Sequence, residues 1–176
     1  MTTRVGIVGA AGRMGLQLVK AIADAPGLVL NAAVDHPGCE ALGQDAGQLA
    51  GLPACGVLLQ PALRPLLEGV DVVIDFSRAD SVEQSVSACS QARVALMIGT
   101  TGLAQPTLAA VDRAAQVIPV LVSGNTSRAL NVLLDLVQRA ASALPVGFDI
   151  EITEAHHRHK LDAPSGTALV LGAAAA

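Results

Sequence analysis

One segment near the end of the sequence concentrates side chains that can donate protons and hold anions. Residues 154–167 are Glu-Ala-His-His-Arg-His-Lys-Leu-Asp-Ala-Pro-Ser-Gly-Thr, and they include three of the four histidines and one of the two lysines of the chain. Histidine titrates near neutrality and can act as a general acid, while Arg and Lys hold carboxylates. The segment therefore predicts a cationic pocket for an anionic substrate.

Two other interpretations of this histidine-rich segment stay open. A zinc site needs three or four converging ligands, whereas the adjacent His156 and His157 point apart in an extended backbone. We therefore predict no metal. A plain basic loop is the other alternative, although only 15% of the residues in this chain are charged.

A glycine-rich turn near the N-terminus has the pattern of a phosphate-binding loop. Its residues, Gly9-Ala-Ala-Gly-Arg-Met-Gly15, come directly after the β-branched run Val5–Val8 and open a helix-like segment. Glycines allow a tight turn and let backbone N–H groups approach a pyrophosphate, whose charge a helix N-terminus favours. The spacing G-x-x-G-x-x-G is one residue off the common pattern, and a purely structural turn is the alternative.

Asp35 strengthens the dinucleotide interpretation. It ends the second predicted strand, 20 positions after Gly15, where an acidic residue normally accepts hydrogen bonds from the ribose hydroxyls of adenosine. We therefore predict NADH or NADPH as the cofactor. The preference between them stays open, because Asp35 repels a 2′-phosphate whereas His36 and Arg13 can offset that repulsion. Arg13 could equally be a solvated residue of the first helical turn.

Polar residues also follow two later predicted strands, in the segments 99–101 and 123–127. In an open parallel sheet the ligand lies beyond the carboxyl ends of the strands. Both segments are therefore expected to face the same crevice as the Gly9 turn and to contact the nicotinamide side. The alternative is that Thr101, and Asn125 or Ser127, only cap helices, and both interpretations can hold together.

The elements that must position these residues alternate along the chain. Five β-branched runs predict strands over residues 5–8, 28–34, 72–76, 94–98 and 117–122, and helical periods predict helices over 14–25, 80–91 and 103–116. The strand runs are almost continuously apolar, as in a parallel sheet covered on both faces. Together they predict an α/β fold with a doubly wound parallel sheet. Pro119 confines pairing of the last strand to Val120 onward, and 37–56 is predicted as mostly loop with room for one helical turn.

A second unit is predicted after residue 124. Leucines and alanines at spacings of three and four predict a long helix that ends at Pro145, and the period-two pattern of 149–154 predicts a strand with one wet face. We therefore expect residues 1–124 to form a dinucleotide-binding domain. Residues 125–176 are expected to form an incomplete substrate-binding and catalytic domain, in which the sheet type changes and the last residues are helical.

Composition excludes several classes of partner. A net charge of −4 and two aromatic residues leave neither a phosphate-binding surface nor a base-stacking platform for nucleic acid. Although 52% of the residues are hydrophobic, no apolar run is long enough to span a membrane, and the N-terminus lacks signal-peptide features. Three dispersed cysteines predict reduced, buried thiols. We expect a cytoplasmic protein.

The motifs above, in this order and spacing, resemble the dihydrodipicolinate reductase family of lysine and diaminopimelate biosynthesis. The resemblance rests on Gly-Ala-Ala-Gly-Arg-Met-Gly, Ile-Gly-Thr-Thr-Gly and the histidine-rich segment with its Ser-Gly-Thr. It implies a Rossmann domain followed by a smaller mixed α/β domain that binds substrate and builds a homotetramer. It also implies hydride transfer from NADH or NADPH to a cyclic dicarboxylate. Family chains continue past residue 176, so a nucleotide-binding module without this activity is a second hypothesis.

The resemblance also implies roles for individual residues. His156 and Lys160 match the family's proton donors, and His157, Gly166 and Thr167 match contacts to the substrate carboxylates. The implied cofactor contacts are Gly9, Ala10, Ala11, Gly12, Arg13, Met14, Asp35, His36, Gly99, Thr100, Thr101, Ser123, Gly124, Asn125 and Thr126. The sequence departs from the family at Arg128 and Ala129, where members commonly have a small or aliphatic residue and then Gly.

Overall fold

A parallel sheet of six strands forms the centre of the larger of two compact units, Met1–Ser123 and Gly124–Ala176. The computed structural model describes residues 2–144, 147–156, 158 and 163–176. The strands are β1 (Thr3–Val8), β2 (Leu28–Val34), β3 (Leu59–Gln60), β4 (Val72–Asp75), β5 (Ala95–Ile98) and β6 (Val120–Val122).

The strand order is β3-β2-β1-β4-β5-β6, and each neighbouring pair is parallel. The chain therefore builds outward from β1 in one direction, returns to β4, and then builds outward in the other direction. This order is that of the Rossmann fold, in which a crevice opens beyond the carboxyl ends of the strands where the order reverses. Here the reversal lies between β1 and β4.

Helices cover both faces of this sheet, which explains the continuously apolar strands. They are α1 (Arg13–Asp24), α2 (Ala46–Leu49), α3 (Val82–Ala92) and α4 (Gln105–Ala115). Side chains of β1 such as Ile7 pack with α1 and α2 in one buried cluster, while Val73 and Ile98 pack with α3 and α4 in another. Complete burial of each such side chain contributes about 1.5–3 kcal/mol, so the positions of the strand ends are set by two dense cores.

The predicted doubly wound sheet is confirmed, and all five predicted strands are present. The structure also confirms that the last strand pairs only from Val120. Pro119 has no N–H to donate, but its carbonyl accepts from the Leu96 N–H at 3.0 Å. The sequence patterns missed the two-residue strand β3 and a 3-10 helix at Arg64–Leu66, both too short to show a period.

The second unit contains two helices, α5 (Arg128–Ala143) and α6 (Gly166–Ala175), which contact each other. Both were predicted from the sequence. The predicted strand over 149–154 is wrong, because these residues form no ladder in the structure. Ile150 and Ile152 are exposed there along with their polar neighbours. A strand exists only by pairing, and the described part of this unit offers no second strand as a partner.

The longest helix that the structure describes is α5, with 16 residues. None of the helices in the described ranges is both long enough and apolar enough to cross a membrane.

Candidate functional site

The three glycines of the turn between β1 and α1 have different structural requirements. Gly9 has φ +80°, and a Cβ there would lie 2.8 Å from the Phe76 carbonyl carbon. A Cβ on Gly15 would lie 2.6 Å from the Ala10 Cα, because α1 packs directly on the turn. Gly12 has ordinary extended backbone and would meet only the Gly9 carbonyl oxygen, at 3.1 Å. The fold thus requires Gly9 and Gly15, whereas Gly12 keeps the space before α1 open.

The N-terminus of α1 is suited to bind an anion. Gly12 is the N-cap and supplies no capping side chain, and the first turn carries no acidic residue. The first N–H groups of a helix have no partner within it and carry partial positive charge. Arg13 and Met14 are exposed beside them, and Ala10 and Ala11 form the preceding turn. The predicted pyrophosphate contacts therefore share one turn with an uncapped helix end.

Asp35 follows β2 and is joined to the glycine-rich turn. Its Oδ2 accepts a hydrogen bond from the Ala11 N–H and its Oδ1 from the His36 N–H, both at 2.9 Å. The His36 Nε2 lies 4.0 Å from the same Oδ1. Each carboxylate oxygen can accept more than one hydrogen bond, so Asp35 can still receive ribose hydroxyls while it holds the turn.

A cleft of about 690 Å³ opens next to these residues. It is lined by the ends of β1 and β2, by segments 61–64 and 77–78, and by α3. This is the place where the strand order reverses, and hence where a doubly wound sheet binds its ligand. Its charged lining is mixed, with Arg64 and Arg78 beside Asp35, Asp80 and Glu83; Arg78 is paired with Asp80 at 2.9 Å.

A buried carboxylate, Asp75, joins the ends of β4 and β5. Its Oδ1 accepts from the Ser77 N–H at 2.9 Å, from the Ser77 hydroxyl at 2.6 Å and from the Thr100 hydroxyl at 3.1 Å. The Thr100 side chain is therefore used inside the protein, which leaves its backbone for any cofactor contact. The sequence analysis missed Asp75 and Ser77, although a polar residue at a strand end was the signal that identified Asp35.

Gly99 lies at the end of β5 for a steric reason. A Cβ at this position would lie 2.6 Å from a ring carbon of Phe76, and Gly99 itself is buried. Phe76 thus fills the space between the ends of β4 and β5. The bulky Phe76 ring fits only because Gly99 has no side chain, so a substitution at Gly99 would displace the ring.

The polar segments 99–101 and 123–127 differ in whether they cap the helix that follows. Thr101 is exposed and caps no helix, since α4 begins at Gln105 with Ala104 as N-cap; the capping hypothesis for Thr101 is wrong. In the other segment capping is confirmed, because the Ser127 hydroxyl accepts from the Leu130 N–H at 3.4 Å. Asn125 supports this cap, since its Oδ1 accepts from the Ser127 N–H at 2.8 Å.

Three further predicted cofactor contacts follow β6, namely Ser123, Gly124 and Thr126. The Ser123 N–H donates to the Ile98 carbonyl at 2.9 Å and so extends the pairing of β6 with β5. Ser123 is the last residue of the first unit. Gly124 and Thr126, which begin the second unit, are exposed.

In the second unit, Glu154 connects His156 to the start of α6. The Glu154 Oε1 accepts from the Ser165 N–H at 2.7 Å, and its Oε2 accepts from the Ser165 hydroxyl. The His156 Nδ1 lies 3.6 Å from that Oε2. Ser165 in turn caps α6 by accepting from the Ala168 N–H at 3.1 Å. One carboxylate therefore holds both the candidate proton donor and the helix end.

Gly166 and Thr167 form the first turn of α6, next to this Glu154 network. His157 and Lys160 lie outside the described residues, as does His159, so the structure describes only His156 among the clustered histidines. Sequence reasoning missed Glu154 as a positioning residue, since only the fold reveals its bond to Ser165.

The cysteines are unpaired but not uniformly buried. All three are free thiols; Cys89 is buried, Cys39 is half-buried and Cys55 is exposed. The prediction that all three pack as small hydrophobic residues is therefore wrong for Cys55. Burial, reinforced by the negative charge of Asp75, raises the pKa of the Cys89 thiol to about 12, because both effects disfavour a thiolate.

Comparison with known proteins agrees with this arrangement. A family model for the N-terminus of dihydrodipicolinate reductase matches residues 3–126, and one for its C-terminus matches residues 129–176. The chain is 51% identical over 172 residues to 4-hydroxy-tetrahydrodipicolinate reductase of Alkalilimnicola ehrlichii, which covers 98% of this chain and 64% of the relative. It is 47% identical over 173 residues to that of Rhizobium meliloti, covering 98% and 72%.

A solved structure shows the same fold over the whole chain. Dipicolinate-bound dihydrodipicolinate reductase from Paenisporosarcina sp. TG-14 superposes with a TM-score of 0.77 and 29% identity, covering 100% of this chain and 66% of that one. The chain spans about 64% of the length of the first curated relatives that it matches. The two family matches, which together extend over nearly all of the sequence and include its glycine-rich turn and histidine-rich segment, show that the chain belongs to the dihydrodipicolinate reductase family.

Proposed function

We propose that this chain carries the cofactor-binding and proton-donating parts of a 4-hydroxy-tetrahydrodipicolinate reductase. The reaction is hydride transfer from NADH or NADPH to dihydrodipicolinate, a cyclic dicarboxylate, which gives tetrahydrodipicolinate. The observation that carries the proposal is the crevice at the strand reversal, where Gly9 and Asp35 line one cleft and Gly9 leads into the uncapped N-terminus of α1. Family membership supports the proposed substrate class.

The cofactor-binding residues fit a nicotinamide dinucleotide. Gly12 leaves room for a pyrophosphate before α1, and the first N–H groups of that helix favour its charge. The Asp35 carboxylate, which the Ala11 and His36 N–H groups hold in position, is proposed to accept hydrogen bonds from the ribose hydroxyls. When bound, the reduced nicotinamide supplies the hydride, and the backbone of segments 99–101 and 123–126 is proposed to line its side of the crevice.

His156 is proposed to donate the proton that completes the reduction, with Lys160 as the second donor. The carboxylate of Glu154 faces the His156 Nδ1 at 3.6 Å, which leaves Nε2 on the opposite side of the ring for the substrate. Hydride addition leaves electron density that a proton must neutralise, and a positioned general acid contributes about 10²–10⁴ in rate.

The start of α6 is proposed to hold a substrate carboxylate. Gly166 and Thr167 provide N–H groups and a hydroxyl in its first turn, where the helix dipole favours an anion. The relative from Paenisporosarcina binds dipicolinate, which supports a cyclic dicarboxylate here. His157 is proposed as a further carboxylate contact. A homotetrameric assembly and a cytoplasmic location also stay predictions.

The test compares two histidine variants that undergo the same chemical change. In an assay of NADH oxidation driven by dihydrodipicolinate, His156→Gln should lower kcat by about 10²–10⁴ with little change in KM for substrate. His36→Gln, at the cofactor side, should change KM for the cofactor and leave kcat nearly intact. Failure of the chain to bind NADH would contradict the proposal, and so would wild-type kcat in His156→Gln.

A further inference from the structure

Three different metal-ligating side chains meet in the turn after β2. One ligand atom from each of Asp35, His36 and Cys39, namely a carboxylate oxygen, an imidazole nitrogen and a thiol sulfur, lies within 4.8 Å of the other two. The histidine-rich segment offers repeated copies of one ligand type. This turn instead combines oxygen, nitrogen and sulfur donors from residues close together in the chain.

The local sequence explains the convergence of His36 and Cys39. The segment His36-Pro37-Gly38-Cys39 forms a tight turn in which the Cys39 N–H donates to the His36 carbonyl at 2.9 Å. Proline and glycine at the two central positions favour such a turn. Two residues between a pair of ligands is also a common spacing in zinc sites. The turn thus brings imidazole and thiol to neighbouring positions without any long-range contact.

The imidazole of His36 has a defined orientation. A Cβ on Gly38 would lie 3.4 Å from its Nδ1, so that edge of the ring lies over the turn. The opposite nitrogen, Nε2, lies 4.0 Å from the Asp35 Oδ1. Nε2 is therefore the nitrogen that an ion held by the Asp35 carboxylate would meet.

Asp35 is already held in position for a ligand. Its two oxygens accept hydrogen bonds from the backbone N–H groups of Ala11 and His36. Hydrogen bonds of this kind orient a ligating carboxylate and commonly accompany metal sites. The Asp35 side chain is 13% exposed and that of His36 is 63% exposed, so an ion can enter from the histidine side and retain water there.

The donor set selects the class of metal. Magnesium and calcium prefer oxygen donors alone, whereas imidazole together with thiolate favours zinc and related transition metals. Tetrahedral zinc with bonds of 2.0–2.3 Å needs ligand atoms about 3.3–3.8 Å apart. The ligand atoms lie within 4.8 Å of one another, so the largest separation has to contract by about 1–1.5 Å. Rotation of the exposed His36 side chain and of the half-buried Cys39 side chain can supply that movement.

We propose that Asp35, His36 and Cys39 form a zinc-binding site with water as the fourth ligand. Zinc binding displaces the thiol proton of Cys39 to solvent, and the ion then bonds to the thiolate. Asp35 and His36 also line the cleft. An ion on the Asp35 carboxylate therefore occupies the oxygens proposed to receive the adenosine ribose, so zinc and the cofactor compete; this competition rests on the proposed function.

Cobalt titration of the metal-free chain tests the site directly. Co²⁺ substitutes for zinc, and a thiolate ligand produces a strong near-ultraviolet charge-transfer band that histidines alone do not produce. We expect the band at one equivalent of Co²⁺ and its removal by added Zn²⁺. Cys39→Ala should abolish the band, and His36→Ala should weaken Co²⁺ binding at least about tenfold. Cys55→Ser, which alters the exposed cysteine outside the cluster, should keep the band.

Two results would overturn the site: no thiolate band in the wild-type chain, or a band that persists in Cys39→Ala. If Cys39→Ala does not fold, His36→Ala answers the question, since its wild-type affinity for Co²⁺ would exclude the histidine ligand. NADH should raise the apparent Kd for Co²⁺. If NADH binds and this Kd does not change, the proposed competition is wrong. NADH binding is measured separately by fluorescence, and failure to bind NADH would count against the proposed function. The cobalt spectrum would then still test the metal site.

Discussion

Gly12 and Gly15 lie three residues apart at the start of α1, and alanine should have opposite consequences at the two positions. At Gly12 the backbone is extended, with φ −70° and ψ 166°, and an added Cβ meets one carbonyl oxygen at 3.1 Å. At Gly15 the Cβ would lie 2.6 Å from the Ala10 Cα and also too close to backbone oxygen atoms. We expect Gly12→Ala to impair cofactor binding and Gly15→Ala to impair folding.

The magnitudes follow from what the added methyl group displaces. Gly15→Ala forces backbone atoms apart, and such overpacking costs about 1–3 kcal/mol, or a decrease of about 2–12 °C in Tm for a chain of this length. In Gly12→Ala, loss of the N-cap preference for Gly is partly offset by reduced entropy of the unfolded chain, so stability should change by less than about 1 kcal/mol. The methyl group instead meets the pyrophosphate. The same overpacking cost weakens NADH binding by about 5- to 150-fold.

Thermal unfolding followed by circular dichroism and NADH titration by calorimetry measure the two effects separately. Gly12→Ser is the matched variant, since serine restores a favoured N-cap and still places a Cβ before α1. It should be at least as stable as Gly12→Ala and still bind NADH weakly. The reasoning is refuted if Gly12→Ala binds NADH as the wild type does, or if it loses as much stability as Gly15→Ala.

Two further outcomes are expected. Asp35→Asn should narrow a preference for NADH over NADPH, because it removes a carboxylate facing the 2′-phosphate; equal ratios of the two Kd values in wild type and variant would exclude Asp35 from ribose recognition. Alkylation at pH 8 with mass-spectrometric readout should modify the exposed Cys55 readily and spare the buried Cys89, because the pKa of about 12 keeps the Cys89 thiol protonated. The thiolate fraction of Cys89 should grow only as the pH rises toward that pKa. Rapid labelling of Cys89 in the native chain at pH 8 would contradict its burial.

Much of the larger unit could be predicted from the sequence because its signals are local. Continuous β-branched runs between Gly, Pro and Asp mark strands buried on both faces, and helical periods between them leave a doubly wound sheet as the arrangement. The Gly9 turn and Asp35 were found in the same way, since each directly follows a strand. That Pro119 would delay the pairing of β6 follows from the chemistry of one residue.

The second unit shows where local pattern stops being sufficient. The alternation over 149–154 satisfies the period of a strand, yet Ile150 and Ile152 are exposed and unpaired in a ladder. A helix closes its hydrogen bonds within its own segment, and α5 and α6 formed as predicted. A strand needs a second strand, so its formation is decided by tertiary structure and not by its own residues.

The candidate site likewise has features that the local sequence predicted and features that only the tertiary structure decided. Residue types and their order pointed to a dinucleotide and an anionic substrate, because a phosphate-binding turn and a cluster of histidines are written in consecutive residues. Only the fold distinguished Gly12 from Gly15, since the difference lies in the packing of α1 on Ala10. Only the fold joined Asp75 to Thr100 and Glu154 to Ser165. Asp75 and Thr100 are 25 residues apart and meet only after β4 and β5 have paired in the buried sheet. Glu154 and Ser165 are 11 residues apart, a separation that no helix or strand period specifies.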